Sequence, residues 1–510
     1  MMYLISEERL KEIADIMRNK TGETEECSLE EIKNKLEAVR TENDFLKFYG
    51  CEDLFNKLKS SLTEIPKIDT RSVTNMNRMF RGCSSLTTVP QIDTSSVTNT
   101  SSMFYGCSSL TTIPQLDTSS VTNASEMFCD CSSLTTIPQL DTSSVTDMSN
   151  MFAGCSSLTT VPQLDTSSAT NTSSMFNNCS SLTTISKLDT SSVTNASGMF
   201  TNCSSLTTVP QLDTSSVTDM SHIFAGCSSL TTVPQIDTSS VTNTSSMFYG
   251  CSKLTTIPKL DTSSVTDASG MFTNCSSLTT VPQLNTSSVT QMSNMFSGCS
   301  KLTTIPQLDT SSVTMMRYMF KDCSSLTAIP QLDTSSVSMT SYMFSGCSNL
   351  TTIPKLDTSS VTDMSCMFSG CSNLTTITQL DLRSVRNEYY AMRMFEGCSK
   401  LENCYLRNIK ASLTIASGTT YGHLLTVDSL LYMIKELVNT GSSNTFIIGT
   451  ENISKLSNTY VKLINITDEM RAEDDLIDSK LPFEVCEKTD EGALPILTRY
   501  VELKRWSISY

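Results

Sequence analysis

One feature limits what this chain can fold into more than any other: a period of 24 residues. Leucines at 62, 86, 110 and onward to 374 keep that spacing and mark out fourteen near-identical units. Numbered from its Leu, a unit is apolar at positions 1, 4, 7, 12, 18, 19 and 22; in "LTTIPQLDTSSVTNASEMFCDCSS" these are Leu110, Ile113, Leu116, Val121, Met127, Phe128 and Cys131. Spacings of three and four suit a helix. However, Pro stands at position 5 (Pro66, Pro90, Pro114, Pro138), where it removes a backbone donor and breaks a helix interior. The Asp-Thr-Ser-Ser run that follows is turn chemistry. Each unit therefore reads as a coil of short extended pieces and tight bends with its apolar side chains inward. One coil cannot bury that face alone, and stacking the next coil on it does, so the pattern predicts a repeat solenoid.

Finer expectations follow. "LTTIP" is the best strand candidate, being rich in Thr and Ile and ended by Pro, and predicts a parallel β-sheet along one face. Position 21 is Gly, Asn or Asp (Gly82, Gly106, Asp130, Gly154, Asn178), which predicts a left-handed bend before the Cys. Position 15 cycles through Thr100, Ala124 and Met148, then Thr172, Ala196 and Met220, the mark of a copied three-coil block. Thirteen cysteines from Cys83 to Cys371 share the period. They are expected to act as small apolar fillers beside Phe and Met, in preference to a disulfide ladder or a metal thread. The Asp row at position 8 (Asp69, Asp93, Asp117, Asp141) contains one Asn, Asn285. Stacked carboxylates repel, so each is expected to cap the amides of its own turn. Calcium between coils is the weaker alternative, since Asn285 suits a hydrogen-bonding role.

The recurring "MFYGCSSLTTIPQLDTSSVTNASEMFCDCSSLTTIP" (Met103–Pro138) resembles the BspA-type leucine-rich repeats of bacterial surface proteins, and the likeness covers residues 62–400. It implies a right-handed leucine-rich-repeat coil and an adhesin's function. "LKEIADIMRNKTG" (Leu10–Gly22) is similar to the segment that opens many phage tail and tail-fibre proteins. The end of the chain, from "LTVDSLLYMIKELV" to "RWSIS", resembles the BspA-like C-terminal cap, apart from an acidic insertion around Asp468–Gly492.

The expected organisation is a helical attachment or capping region at 1–45, a degenerate first coil at 46–61, the solenoid at 62–400 and an α+β cap at 401–510. Ser6 and "SLEE" (Ser28–Glu31) supply helix-start signals for the first region. The last unit, Leu374 to Lys400, is 27 residues long and contains "NEYYAMRMF".

The net charge of −16 over 510 residues argues against nucleic-acid binding, because no basic stripe meets the phosphates. The N-terminal residues carry no pattern of an ordinary secretion signal, and no apolar run reaches the ~18–20 residues of a membrane span. The two histidines, His222 and His423, and the pair Cys129 and Cys131 form no catalytic or metal-binding arrangement. Neither an enzyme nor a cofactor is expected. Adjacent threonines also disfavour an ice-binding face, since neighbouring strand residues point to opposite sides.

Copies differ most at positions 17 and 20, which are read as a solvated edge. Arg317, Tyr318 and Lys321 in one coil, Tyr342 in the next, and Tyr389 and Tyr390 beyond form the candidate contact site, since Tyr and Arg anchor interfaces. Taken with the two resemblances, the expectation is a phage or prophage tail-associated receptor-binding protein in a virion. Its array would recognise a bacterial surface protein or glycan, residues 1–45 would meet other tail proteins, and self-association is allowed. The alternatives are a BspA-like adhesin on a bacterial cell surface and a structural spacer without a ligand.

Overall fold

A computed structural model of the protein describes residues 62–65 and 70–410, with 413–414, 425–426, 429–430, 432–433, 444–447, 460–463, 483–486, 494–495 and 506–509. The expected regions 1–45 and 46–61, Pro66, Asp69 and His423 lie outside the described residues, and the acidic insertion is described only at Phe483–Cys486. Two compact units divide the chain, Met1–Ser216 and Val217–Tyr510.

Within the first unit, the coil that starts at Leu86 shows how stacking satisfies the backbone. Alternate amides reach forward to the next coil: Thr100 to the Asn123 carbonyl (3.0 Å), Ser102 to Ser125 (2.8 Å), Phe104 to Met127 (2.9 Å) and Gly106 to Cys129 (2.7 Å). The amides between them close tight turns, Met103 to Thr100 (3.0 Å), Tyr105 to Ser102 (3.1 Å) and Cys107 to Phe104 (3.0 Å). Positions 15–22 thus leave no amide without a partner, which is what a buried backbone requires. The second unit repeats the scheme, with Thr244 bonded to Asp267 (3.0 Å), Ser246 to Ser269 (2.8 Å), Phe248 to Met271 (2.9 Å) and Gly250 to Thr273 (2.7 Å).

Such a path needs two left-handed residues per coil. One is the expected position 21, as at Gly106 (φ 71°) and Asp130 (φ 59°). The other is position 17, as at Ser102 (φ 53°), Glu126 (φ 58°) and Asn150 (φ 56°). Position 17 is therefore a conformationally demanding site and not merely a free edge.

The core is a column of phenylalanines at position 19. Ring centroids of Phe104 and Phe128 are 5.6 Å apart and 4° from parallel. In the second unit Phe296 and Phe320 lie 5.6 Å apart and 2° from parallel. These rings are fully buried, and removing one would cost about 3–5 kcal/mol. Beside them each position-22 thiol donates to the carbonyl of the Phe one coil back, as Cys107 Sγ does to Phe80 (3.1 Å) and Cys275 Sγ to Phe248 (3.1 Å). That carbonyl also accepts the amide of its own coil's Cys, as Phe80 does from Cys83 (3.1 Å). The cysteines are free thiols. Their expected filler role is met, with a weak donor's duty added.

The carboxylate row behaves as its chemistry demands. Asp141 Oδ1 accepts from the Ser143 amide (3.1 Å) and hydroxyl (2.7 Å), and Asn285 Oδ1 accepts the same two groups of Ser287 (3.2 and 2.9 Å). Between these caps sits a buried row that the sequence reading passed over, the Thr at position 9. Thr118 Oγ1 donates to the Asp141 carbonyl of the next coil (2.7 Å), and Thr310 Oγ1 to Asp333 (2.7 Å).

The strand expectation needs correction in its location. "LTTIP" forms no run of ladder bonds in most coils. In some coils it makes a single long backbone bond, such as Thr111 N–H to the Thr87 carbonyl at 3.3 Å. The parallel pairing runs instead through single bridges at position 14: Asn75 to Asn99 to Asn123 to Asp147 in the first unit, and Asp219 to Asn243 to Asp267 to Gln291 in the second. Pro at position 5 and the bends on both sides leave "LTT" too short to propagate. A true strand appears only near the end of the array, where β1 (Thr376–Asp381) pairs in parallel with β2 (Asn403–Arg407).

The three extra residues of the last coil are absorbed just before position 14. Asn387 caps a 3-10 turn, Glu388–Ala391, its Oδ1 accepting the Tyr389 amide (3.1 Å). The register then recovers: the Met364 amide meets the Tyr390 carbonyl (2.8 Å), and Cys366 meets Met392 (2.9 Å). Tyr390, Met392 and Arg393 thus occupy positions 14, 16 and 17. Beyond the array, β3 (Leu413–Thr414), β4 (Asn444–Ile447) and β8 (Trp506–Ser509) form one parallel sheet. A second sheet is antiparallel, built of β5 (Tyr460–Leu463), β6 (Phe483–Cys486) and β7 (Leu494–Pro495). Ser429, Leu430, Tyr432 and Met433 are helical.

Candidate functional site

Positions 14, 16 and 17 flank the buried Met-Phe pair; most of their side chains are half-buried, while Ser102, Ser221, Ser341, Asp363 and Cys366 are buried. Over most coils these positions follow a rule. Asn or Asp at 14 accepts the amide of position 16, as Asn99 does from Ser101 (2.9 Å) and Asp147 from Ser149 (2.9 Å). Position 17 is small or amidic, as suits a left-handed backbone: Ser102, Asn150, Ser174.

Gln291 already leaves position 14 without this cap, its Nε2 donating to Thr314 Oγ1 instead, and from Met315 positions 14 and 17 depart together in two successive coils. Position 14 becomes Met315 and then Met339, which have no oxygen to cap with. Position 17 becomes Tyr318 (φ 58°) and Tyr342 (φ 57°). A left-handed conformation in a residue with a side chain costs about 1–2 kcal/mol, and losing each cap adds about 1 kcal/mol. Nothing in the core requires either change. Departures from a local rule without structural compensation are what a functional surface leaves behind.

The candidate residues are brought together in part. Tyr318 and Tyr342 stack, with centroids 4.9 Å apart and planes 11° from parallel. A hydrogen bond with Cys366, together with the nearness of that thiol, holds the Tyr342 hydroxyl above its ordinary range. Arg317 is not a free anchor. Its Nε donates to Ser341 Oγ (2.8 Å) and its guanidinium lies 3.7 Å from Asp363 two coils on. It braces the surface beside the rings, 6.0 Å from the Tyr318 centroid. Lys321 turns to Asp322 in its own coil (3.5 Å). Tyr389 and Tyr390, on the 3-10 turn, are 67 % and 43 % exposed, and the surface also carries Met392 at 47 % and Met315 at 38 %.

Sequence reasoning missed the methionines of this surface, Met315, Met339 and Met392. The available signal was the loss of Asn or Asp at position 14 in the same coils that gain Tyr at 17. Position 20, read as a solvated edge, is mixed: Tyr249 there is exposed and Lys321 half-buried. Cys129 there is buried, as are Ala153 and Ala225, and burial raises the Cys129 thiol to about 12. His222 is a left-handed position-17 residue, φ 59°. Among the described residues no group of His, Cys, Asp or Glu is placed to hold a metal ion.

A family described as "Mycoplasma protein of unknown function, DUF285" matches residues 49–158, 111–210, 135–233, 205–304, 231–328 and 321–412. The chain belongs to this family. Its matches overlap along the array and each spans several coils, and the candidate surface falls inside the last two of them. No curated protein is similar enough to match the chain. Among solved structures it is similar to a leucine-rich repeat protein from Bacteroides ovatus, with 19% identity, 71% of this chain and 91% of that one covered, and a TM-score of 0.38. It is also similar to a leucine rich cell surface protein from Faecalibacterium prausnitzii, with 22% identity, 70% and 90% covered, and a TM-score of 0.36. A leucine-rich repeat protein from Eubacterium ventriosum gives 19% identity, coverage of 57% and 77%, and a TM-score of 0.32. The solenoid is established by the coil-to-coil hydrogen bonds above and not by these likenesses. None of these matches is a tail protein, and the tail-like Leu10–Gly22 lies outside the described residues.

Proposed function

We propose that the chain is a non-enzymatic binding protein of the bacterial surface-adhesin type. The observation that carries this reading is the concentration of exposed apolar side chains. Of the five large apolar residues exposed among the described residues, Met315, Tyr389, Tyr390 and Met392 lie in one short stretch of the array, with only Tyr249 elsewhere. Scattered apolar residues are ordinary on a surface, whereas a cluster marks an interaction site. The surrounding coils consume their polar groups internally, which suits a scaffold that displays a site.

The adhesin reading is preferred to a virion receptor-binding protein because of extent. The repeat that resembles bacterial surface proteins occupies 62–400, whereas the tail-like likeness rests on Leu10–Gly22 alone. A spacer without a ligand would have no use for the left-handed tyrosines. The test is titration of the labelled full-length chain onto intact bacterial cells and cultured epithelial cells. Saturable binding to either surface, lost in Tyr389→Ala/Tyr390→Ala, is expected. Absence of saturable binding to both, or equal binding by the variant, would overturn the reading.

A further inference from the structure

We propose that positions 14–17 of the coils from Met315 to Arg393 form a docking face for the apolar side of a polypeptide partner, and not for a glycan. This rests on the binding-protein reading above and names the chemistry of its ligand.

Three observations carry the choice. First, a sugar packs against an open aromatic face, and the central rings offer none on the side where they meet. Tyr318 and Tyr342 cover each other at 4.9 Å. The Cys366 thiol lies near the Tyr342 hydroxyl, and the Arg317 guanidinium lies over the Tyr318 ring at 6.0 Å. Stacked in this way, each ring spends one face on the other. Second, the polar groups that would hold sugar hydroxyls are already committed. Asp363 Oδ1 accepts the Ser365 amide (3.1 Å) and hydroxyl (2.7 Å), and its Oδ2 faces Arg317 (3.7 Å). Ser341 is buried and receives Arg317 Nε (2.8 Å). Third, Met315 and Met339 pair at position 14 of the two tyrosine coils, Met315 and Met392 are exposed, and thioether side chains adapt to varied apolar partners.

Charge and size agree with that occupant. The chain carries −16 overall, yet ion pairs neutralise this face: Arg317 with Asp363 and Arg393 with Glu396 (3.8 Å). Association here is therefore apolar and insensitive to salt. From the Met315 coil to the Met392 coil are three steps of about 4.8 Å, roughly 15 Å, the length of four to five extended residues.

The experiment selects a displayed library of random 12-residue peptides on the full chain, and applies the full chain to a glycan array in parallel. Peptides rich in apolar residues are expected. Their affinity should fall at least tenfold in Tyr318→Ala/Tyr342→Ala and in Met392→Ser, and should hold in Tyr249→Ala, which lies outside the face. Affinity should change by less than about threefold between about 0.05 and 0.5 M salt. Circular dichroism of each variant separates lost contact from lost fold. Peptides whose affinity ignores these variants overturn the docking face while leaving the chain a binding protein. Glycan signals lost in the same variants overturn the polypeptide assignment. Silence in both arms, with no saturable binding to cells, overturns the binding reading itself.

Discussion

A contrast between two glycines of the same row gives a sharp test of the stacking scheme. Gly106 and Gly154 both occupy position 21 with left-handed backbones, φ 71° and 74°. Changing either to Ala incurs the same conformational penalty, about 1–2 kcal/mol. Their surroundings differ. A Cβ on Gly106 would meet Gly82 Cα at 3.6 Å, an ordinary contact. A Cβ on Gly154 would run into Asp130 Oδ1 and lie 3.1 Å from Asp130 Cα and 3.2 Å from its amide nitrogen. Rotating the carboxylate relieves the first clash. The backbone contacts remain, because the Asp130 amide is held to the Ala153 carbonyl at 2.6 Å and the coils cannot separate there. Overpacking of this kind adds about 1–3 kcal/mol. Gly154→Ala should therefore destabilise by about 3 kcal/mol and Gly106→Ala by about 1.5 kcal/mol. Asp130→Gly in the Gly154→Ala background should restore little of the difference, because the Cα and amide nitrogen that the new Cβ meets stay in place. Urea unfolding followed by far-ultraviolet circular dichroism measures all three. Equal losses for the two glycines, or full rescue by Asp130→Gly, would refute backbone contact between coils at this spacing.

Other predictions concern the ladders. Ser hydroxyls and amides hold the position-8 carboxylates, such as Asp141, Asp189, Asp309 and Asp333, below the usual range. A depressed carboxylate contributes stability above its unfolded pKa, near 3.9, and loses it as pH falls through the lower folded value. The melting temperature should thus drop on acidification below about pH 4, and Asp→Asn at several of these positions should flatten that drop. Asp141→Asn should be nearly neutral at pH 7, as Asn285 already shows the geometry, whereas Asp141→Ala should lower the melting temperature by leaving the Ser143 amide uncapped. Burial raises the ladder thiols, Cys179, Cys299 and Cys347 to about 12. The seventeen described cysteines should therefore stay silent to a thiol reagent at pH 8 until urea is added, as a colorimetric titration would count.

The coil was legible because its buried positions never vary in character. Leu at 1, Phe at 19 and Cys at 22 are inward in every described coil, and the Pro and Asp-Thr-Ser-Ser between them forbid a helix. Three features were hidden for physical reasons. The Thr at position 9 looks like turn residue, and its partner is a carbonyl of the next coil, which no local pattern displays. The left-handed bend at position 17 is masked by Arg78, Glu126, His222 and Tyr342; only Gly198 and Gly270 hint at it. The pairing at position 14 looks like loop sequence because one bridge per coil leaves no strand-length signature. At the candidate site the tyrosines were visible as types. That Arg317 is committed to Ser341 and Asp363, and that the methionines complete the surface, depends on distances between coils.

The central claim is that the coils are scaffold and that the Met315–Arg393 face is function. Returning that face to the array's own rule, with Met315→Asn, Tyr318→Ser, Met339→Asn and Tyr342→Ser together, tests it directly. The substitutions restore two caps and remove two left-handed tyrosines. Measured on the same preparation, the melting temperature should hold or rise while saturable binding to cells is lost. A lower melting temperature with binding intact would contradict the account.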